Sequence, residues 1–270
     1  MANGISLHIG INHVNPIQYS EWWERLNGAE NDAEAMRSIA GTAGFDSTLL
    51  LADKATRDYV MFEIQNAAGR LQAGDTFLIT YSGHGGQKID LCGYEDDLMN
   101  ETWCLYDGHL IDDELYLLWK RFEEGVNIVM FSDSCNSGTV AKLAALPLAT
   151  TNKVKSIPGS IASKVAEDQK EFYDQIRATI REEKQDFTGN DENFSGLLIA
   201  ACRDGRSAFD GPDNSLFTKA LLEVWDDGRF QGGYWDFYQM ISNRLYRQEP
   251  NYYRFGRGDY PFEHIRPFSI

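Results

Sequence analysis

This chain is short of several things. Its 270 residues include four cysteines, seven prolines and five histidines, and no apolar run is long enough to span a membrane. Cys92, Cys104, Cys135 and Cys202 are widely and irregularly spaced and no CxxC occurs, which argues against a structural zinc site. The start, MANGISLHIG, has neither a basic n-region nor an apolar h-region. No signal peptide is read there, so cytoplasmic residence is expected and disulfides are not. Basic residues are in deficit: 25 Lys and Arg stand against 41 Asp and Glu, a formal net charge of -16. Such a chain lacks the basic face that nucleic acid demands, and it permits a basic partner or substrate. GxSxG, GxxxxGK[ST] and a GxGxxG after a strand are all missing, so other hydrolase and nucleotide-binding readings of a doubly wound sheet find no support.

What is present suffices for a sizeable core, with 43% hydrophobic and 13% aromatic residues. Ile5, Leu7, Ile9 and Ile11 alternate as a first strand. Asn31 or Asp32 then caps a helix with Ala33, Met36, Ile39 and Ala40 on its apolar stripe. STLLLAD is a second strand, and Thr56 caps a helix carrying Val60, Ile64 and Leu71. TFLITYS is a third strand, followed by the irregular acidic loop QKIDLCGYEDDLMNETW and the short helix IDDELYLLWKRF. VNIVMFSD is the fourth strand. Residues 145 to 194 read as a loop and then the charged helix EDQKEFYDQIRATIREEK. SGLLIAACRD is a fifth strand, with SLFTKALLEVW and WDFYQMISNRLY as closing helices. This alternation predicts an open, largely parallel α/β sheet with helices on both faces, and a site outside the carboxyl ends of the strands.

Two strands end in reactive chemistry. The third delivers His84 within YSGHGGQ and the fourth delivers Cys135 within DSCNSGT. Parallel strands would project both from one edge. A thiolate is a nucleophile, a nearby imidazole favours it, and the glycines around His84 allow a close approach and an oxyanion donor. His13, after the first strand, is the rival base. Each residue alone also has a structural reading: Cys135 as core packing and His84 as a turn residue.

YSGHGGQ and DSCNSGT resemble the His and Cys motifs of metacaspases and other caspase-like cysteine peptidases, especially the compact bacterial ones. LNGAENDAEAM, LIDDELY and LLIAACRDGRSAFD with NSLFTKALLEV are similar to flanking segments of that family. The resemblance implies a three-layer sandwich of the caspase-hemoglobinase type, as one domain over residues 1–270. Within it a large-subunit-like part would cover 1–144, a linker and helix 145–194, and a small-subunit-like part with the tail 195–270. It also implies roles. Cys135 would attack the scissile carbonyl and His84 would protonate the leaving amine. The N–H groups of Gly85 and Cys135 would form the oxyanion hole. Asp32, Ser82 and Asp133 would line the S1 pocket, where two carboxylates favour Arg or Lys. Asp32 also reads as a helix cap and Asp133 as a turn residue.

There are departures from the family pattern. Asn136 stands where the family usually has His. Of the family's calcium ligands, Asp112 and Asp113 match two and Asp97 is a candidate third, but VAKLAALPL offers no acid for the fourth. Asp112 and Asp113 read equally as helix capping. The expectation is a monomeric endopeptidase, with no required cofactor beyond calcium as an option, acting on protein or peptide at Arg or Lys. A non-catalytic interaction module is the alternative. The first strand starts at Ile5, which leaves no visible inhibitory pro-segment, so restraint is expected from a ligand, an ion or loop cleavage. Lys153, Lys155, Lys164 and Lys170 make the 145–194 segment either a self-cleavage site or a solvated insertion.

Overall fold

The computed structural model describes residues 2–89, 99–135, 153–185, 194–203, 206–256 and 260–270. Nine strands and seven α-helices are found among them. Six strands form the central sheet in the order β2-β1-β3-β7-β8-β9: β2 Asp46–Leu51, β1 Gly4–Gly10, β3 Thr76–Ser82, β7 Asn127–Asp133, β8 Ser195–Ala200 and β9 Asn251–Gly256. The first five run parallel and only the edge strand β9 is antiparallel. A smaller antiparallel sheet holds β4 Gly85–Ile89, β5 Met99–Leu105 and β6 Gly108–Ile111.

Alternation along each strand feeds two cores. Phe77 and Ile79 of β3, with Leu7 and Ile9 of β1, pack against α2 (Arg57–Ala68) and α3 (Asp112–Trp119). Leu78, Val129, Phe131, Leu197 and Ile199 face the other way, onto α1 (Ala29–Thr42), α6 (Leu216–Trp225) and α7 (Tyr234–Ser242). A parallel sheet covered on both faces needs such doubly apolar strands. The predicted α/β architecture, a mostly parallel sheet flanked by helices, is therefore present.

Four elements differ from the sequence expectation. α1 begins at Ala29, so Asp32 lies inside its first turn and is not its cap. The orphan N–H groups there are met from far along the chain: Asn12 accepts from Ala29, and Asp210 accepts from Asn27 and Gly28. The expected acidic loop contains strands on both sides of residues 90–98, which lie outside the described residues. The tail supplies β9, whose Arg254 pairs with Glu263. Finally, the 145–194 segment holds two helices, α4 (Gly159–Asp168) and α5 (Lys170–Gln185), instead of one. Its described part, residues 153–185, buries Lys155, Ile157, Ala162, Val165, Tyr173 and Ile180, so that part packs into the fold and is not solvated.

Register fixes the site. Gly10, Ser82 and Asp133 are direct neighbours across β1, β3 and β7, so three strands finish at one level. A Cβ at Gly10 would lie 2.6 Å from the Ala29 carbonyl oxygen, so only glycine lets α1 start directly above this edge. That contact sets the first turn of α1, and with it Asp32, over the ends of β3 and β7.

Candidate active site

His84 follows β3 where the chain leaves the main sheet for the small one. Its carbonyl accepts from Tyr81 Oη at 2.6 Å and from the Cys104 N–H at 3.0 Å, which anchors the backbone. Gly83 is required between them, since a Cβ there would sit 2.5 Å from Tyr81 Oη. The imidazole is wholly buried against Trp22, edge to face at 4.8 Å. Nε2 lies 3.1 Å from the Glu24 carbonyl oxygen. A carbonyl only accepts, so Nε2 carries the proton and Nδ1 the lone pair. Nδ1 has no hydrogen-bond partner among the described residues. The rival, His13, packs edge-on against Tyr106.

Burial holds this ring neutral. It lowers His84 to about 3 from an ordinary 6.5, helped by the Lys155 and Lys153 charges and opposed by the Glu24 carbonyl. His8 in β1, bonded to Thr80 Oγ1 at 2.9 Å, is lowered to about 3 by burial and by Arg37. An unfolded chain takes up these protons near 6.5 and the folded one only near 3. The stability they contribute is therefore complete above about pH 6.5 and is lost on acidification toward 3, at up to about 1.4 kcal/mol per pH unit for each histidine. In Cys135→Ala protein, the urea midpoint should fall between pH 7 and pH 5, and His8→Gln should remove about half of that slope. Equal slopes would contradict this accounting.

Cys135 lies two residues beyond β7 and is buried. Its thiol donates to the Arg206 carbonyl at 3.0 Å. One main-chain oxygen is shared by the two motifs. The Lys155 carbonyl accepts from the Gly85 N–H at 2.9 Å and from the Cys135 N–H at 3.0 Å. Residues 153–157 pass through the site as an extended strap. Ser156 bridges Gly85, Val154 bridges Phe209, and the Lys155 N–H donates to the Ala208 carbonyl at 3.0 Å.

The Lys155 side chain enters the hollow between the strand ends. Its ammonium donates to Ser82 Oγ at 2.6 Å and pairs with Asp133 at 3.2 Å and Asp32 at 3.5 Å. Ser82 in turn donates to Asp32 at 2.7 Å. Asp32 also accepts from Asn214 Nδ2 at 2.9 Å and from the Ser215 N–H at 3.1 Å. Asp133 accepts from the hydroxyls of Ser215 and Thr218. Burial pushes the Asp133 carboxyl up, while the Lys155 cation pulls it down and Asp32 adds to the rise. Two buried carboxylates side by side are tolerated because a cation lies between them.

Against this geometry stand the similarities to known proteins. Residues 4–259 match the family model of the Peptidase C14 caspase domain. The chain belongs to that family of cysteine-type peptidases. Among relatives of this caspase-domain chain, Metacaspase-1 of Saccharomyces cerevisiae is 32% identical over 154 residues, covering 51% of this chain and 34% of the yeast protein. Metacaspase-1 of Yarrowia lipolytica is 26% identical over 232 residues, covering 73% and 49%. The match thus spans half or less of each relative's length. The crystal structure of protein GSU0716 from Geobacter sulfurreducens superposes with a TM-score of 0.86 at 41% identity, covering 99% of both chains.

Of the metal residues expected by resemblance, Asp112 and Asp113 open α3. Asp112 accepts from the Asp113 N–H at 2.8 Å at the start of α3 and from the Glu101 N–H at 3.1 Å in β5. Among the described residues no three His, Cys, Asp or Glu side chains gather for a metal. Asp97, Asn136 and Cys92 lie outside the described residues. Asp112 and Asp113 alone do not make a calcium site. Among the described residues no helix is long and apolar enough to cross a membrane.

The sequence did not reveal Glu24 and Arg206, which act through main-chain oxygens and so leave no residue-type trace. Ser215 could have been found: Asn-Ser ahead of the apolar run LFTKALL is a cap signal, and its side chain does accept from the Thr218 N–H.

Proposed function

We propose that this protein is a cysteine endopeptidase that cuts after Lys or Arg, and that its first substrate is its own Lys155–Ser156 bond. One observation carries this reading: Lys155 lies in the site as a substrate residue would, with its ammonium on Asp32, Ser82 and Asp133 and its carbonyl between two N–H donors.

The chemistry follows from these positions. The Cys135 thiol turns from the Arg206 carbonyl and gives its proton to His84 Nδ1. Sulfur then bonds to the scissile carbonyl carbon, and the charge that develops on oxygen is met by the Gly85 and Cys135 N–H groups. The Glu24 carbonyl steadies the imidazolium through Nε2–H. His84 returns its proton to the leaving nitrogen as the C–N bond breaks, leaving a thioester. A water then gives a proton to His84, attacks the thioester and releases the new carboxyl group. Cys135 recovers its proton from His84.

Guanidinium suits the same hollow, since its fork can engage both carboxylates. The domain division follows the cut. Residues 1–155 form the large part and 156–270 the small part, so the segment 145–194 is divided at Lys155. The test uses fluorogenic peptides ending in Lys, Arg or Asp, with wild type against Cys135→Ala. Cleavage after Lys and Arg only, lost in the variant, is expected. Equal rates near blank in both proteins would favour a non-catalytic interaction module.

A further inference from the structure

Asp210 is not used by the reaction above, yet it touches three parts of the site. It is 1% exposed. Its carboxylate accepts from the Asn27 N–H at 2.7 Å and from the Gly28 N–H at 3.0 Å. Its own N–H donates to the Lys153 carbonyl at 2.8 Å, two residues before the scissile position. Asn27 and Gly28 close a short loop that begins at Trp22. In that loop the Glu24 carbonyl faces His84 Nε2, and the Arg25 carbonyl accepts from the Lys153 ammonium. The same two N–H groups precede the first turn of α1, which carries Asp32.

We infer that Asp210 is a positioning residue that ties the strand receiving the substrate to the loop that orients His84. A buried carboxylate bridging two main-chain N–H groups is a stiff, charge-assisted link. Through it, the 208–210 segment that pairs with an incoming chain and the 24–28 loop move as one body. Glu24 then sits at the height His84 needs, and Asp32 at the height the basic side chain needs. A capping role alone would leave the catalytic geometry untouched, because α1 also has Asn12 on the Ala29 N–H.

This inference rests on the peptidase reading, and the experiment separates the two. Wild type, Asp210→Ala and Asp210→Asn are compared on an acetyl-Lys-Val-Lys fluorogenic amide, with active sites titrated and thermal unfolding measured in parallel. Asp210→Asn keeps the shape and one acceptor, so it covers the case in which the alanine variant does not fold. In Asp210→Ala, kcat should drop at least about tenfold, because misplacing a reacting group costs turnover, and KM should rise as the substrate strand and Asp32 loosen. Asp210→Asn should recover part of kcat. Unchanged kcat per active site with lowered thermal stability would reduce Asp210 to a helix cap and overturn the inference. No cleavage by wild type would overturn the peptidase reading itself.

Discussion

Purified wild-type protein is expected to resolve on a denaturing gel into two chains, with Ser156 as the new N-terminus, while Cys135→Ala runs as a single 30.6 kDa chain. Lys155→Gln should also stay whole, and Lys155→Arg should be cut. The rate of this event should fall at least about 10³-fold without the thiol, as for loss of an activated nucleophile. The two products should elute together on gel filtration, because β7 and β8 pair across the cut along the whole length of β8. The new ends should behave differently. Ser156 is held by Ile157, Ala162 and Val165, which are buried in the core. Lys155 would keep its contacts with Gly85, Cys135 and Ala208 but lose its covalent tie to that buried segment, so it can exchange with an incoming substrate. A wild-type chain that stays whole while cutting reporter peptides would make the strap an inhibitor and would sink the self-cleavage proposal.

Specificity gives the second large effect. Asp133→Asn should lower kcat/KM on Lys and Arg peptides by about 10²–10³, the usual cost of truncating one partner of a buried charge pair. Asp32→Asn should come close behind, since its oxygen is 3.5 Å from the ammonium against 3.2 Å for Asp133. Ser82→Ala should cost about tenfold, the loss of one hydrogen bond to a charged group. Neither Asn variant should unfold, because each amide oxygen can keep the donors on its far side: Asn214 and Ser215 for Asp32, Ser215 and Thr218 for Asp133. Steady-state kinetics with thermal unfolding as control would decide this. Undiminished cleavage after Lys in Asp133→Asn would refute the assignment of the pocket.

The strands were legible because their apolar residues run unbroken or alternate, and a parallel sheet permits little else. His84 and Cys135 were legible because both end such strands, and side chains at the carboxyl edge of a parallel sheet share one rim. β9 and the strands around residues 90–98 were not legible. They are edge or hairpin strands, polar on one face, whose pairing depends on neighbours distant in sequence.

The sequence alone determined the five parallel strands and the order of their chemistry, and its resemblance to a family pointed to the acids and hydroxyl that face a basic side chain. Only the tertiary structure decided that Lys155, and not Lys153, Lys164 or Lys170, fills that hollow. A lysine carries no mark of its destination. Lys155 is selected because its carbonyl and amide are pinned by Gly85, Cys135 and Ala208, backbone groups whose positions are set by strand register and not by residue type. The same reason hid Glu24 and Asp210: main-chain contacts exist only once the chain has folded.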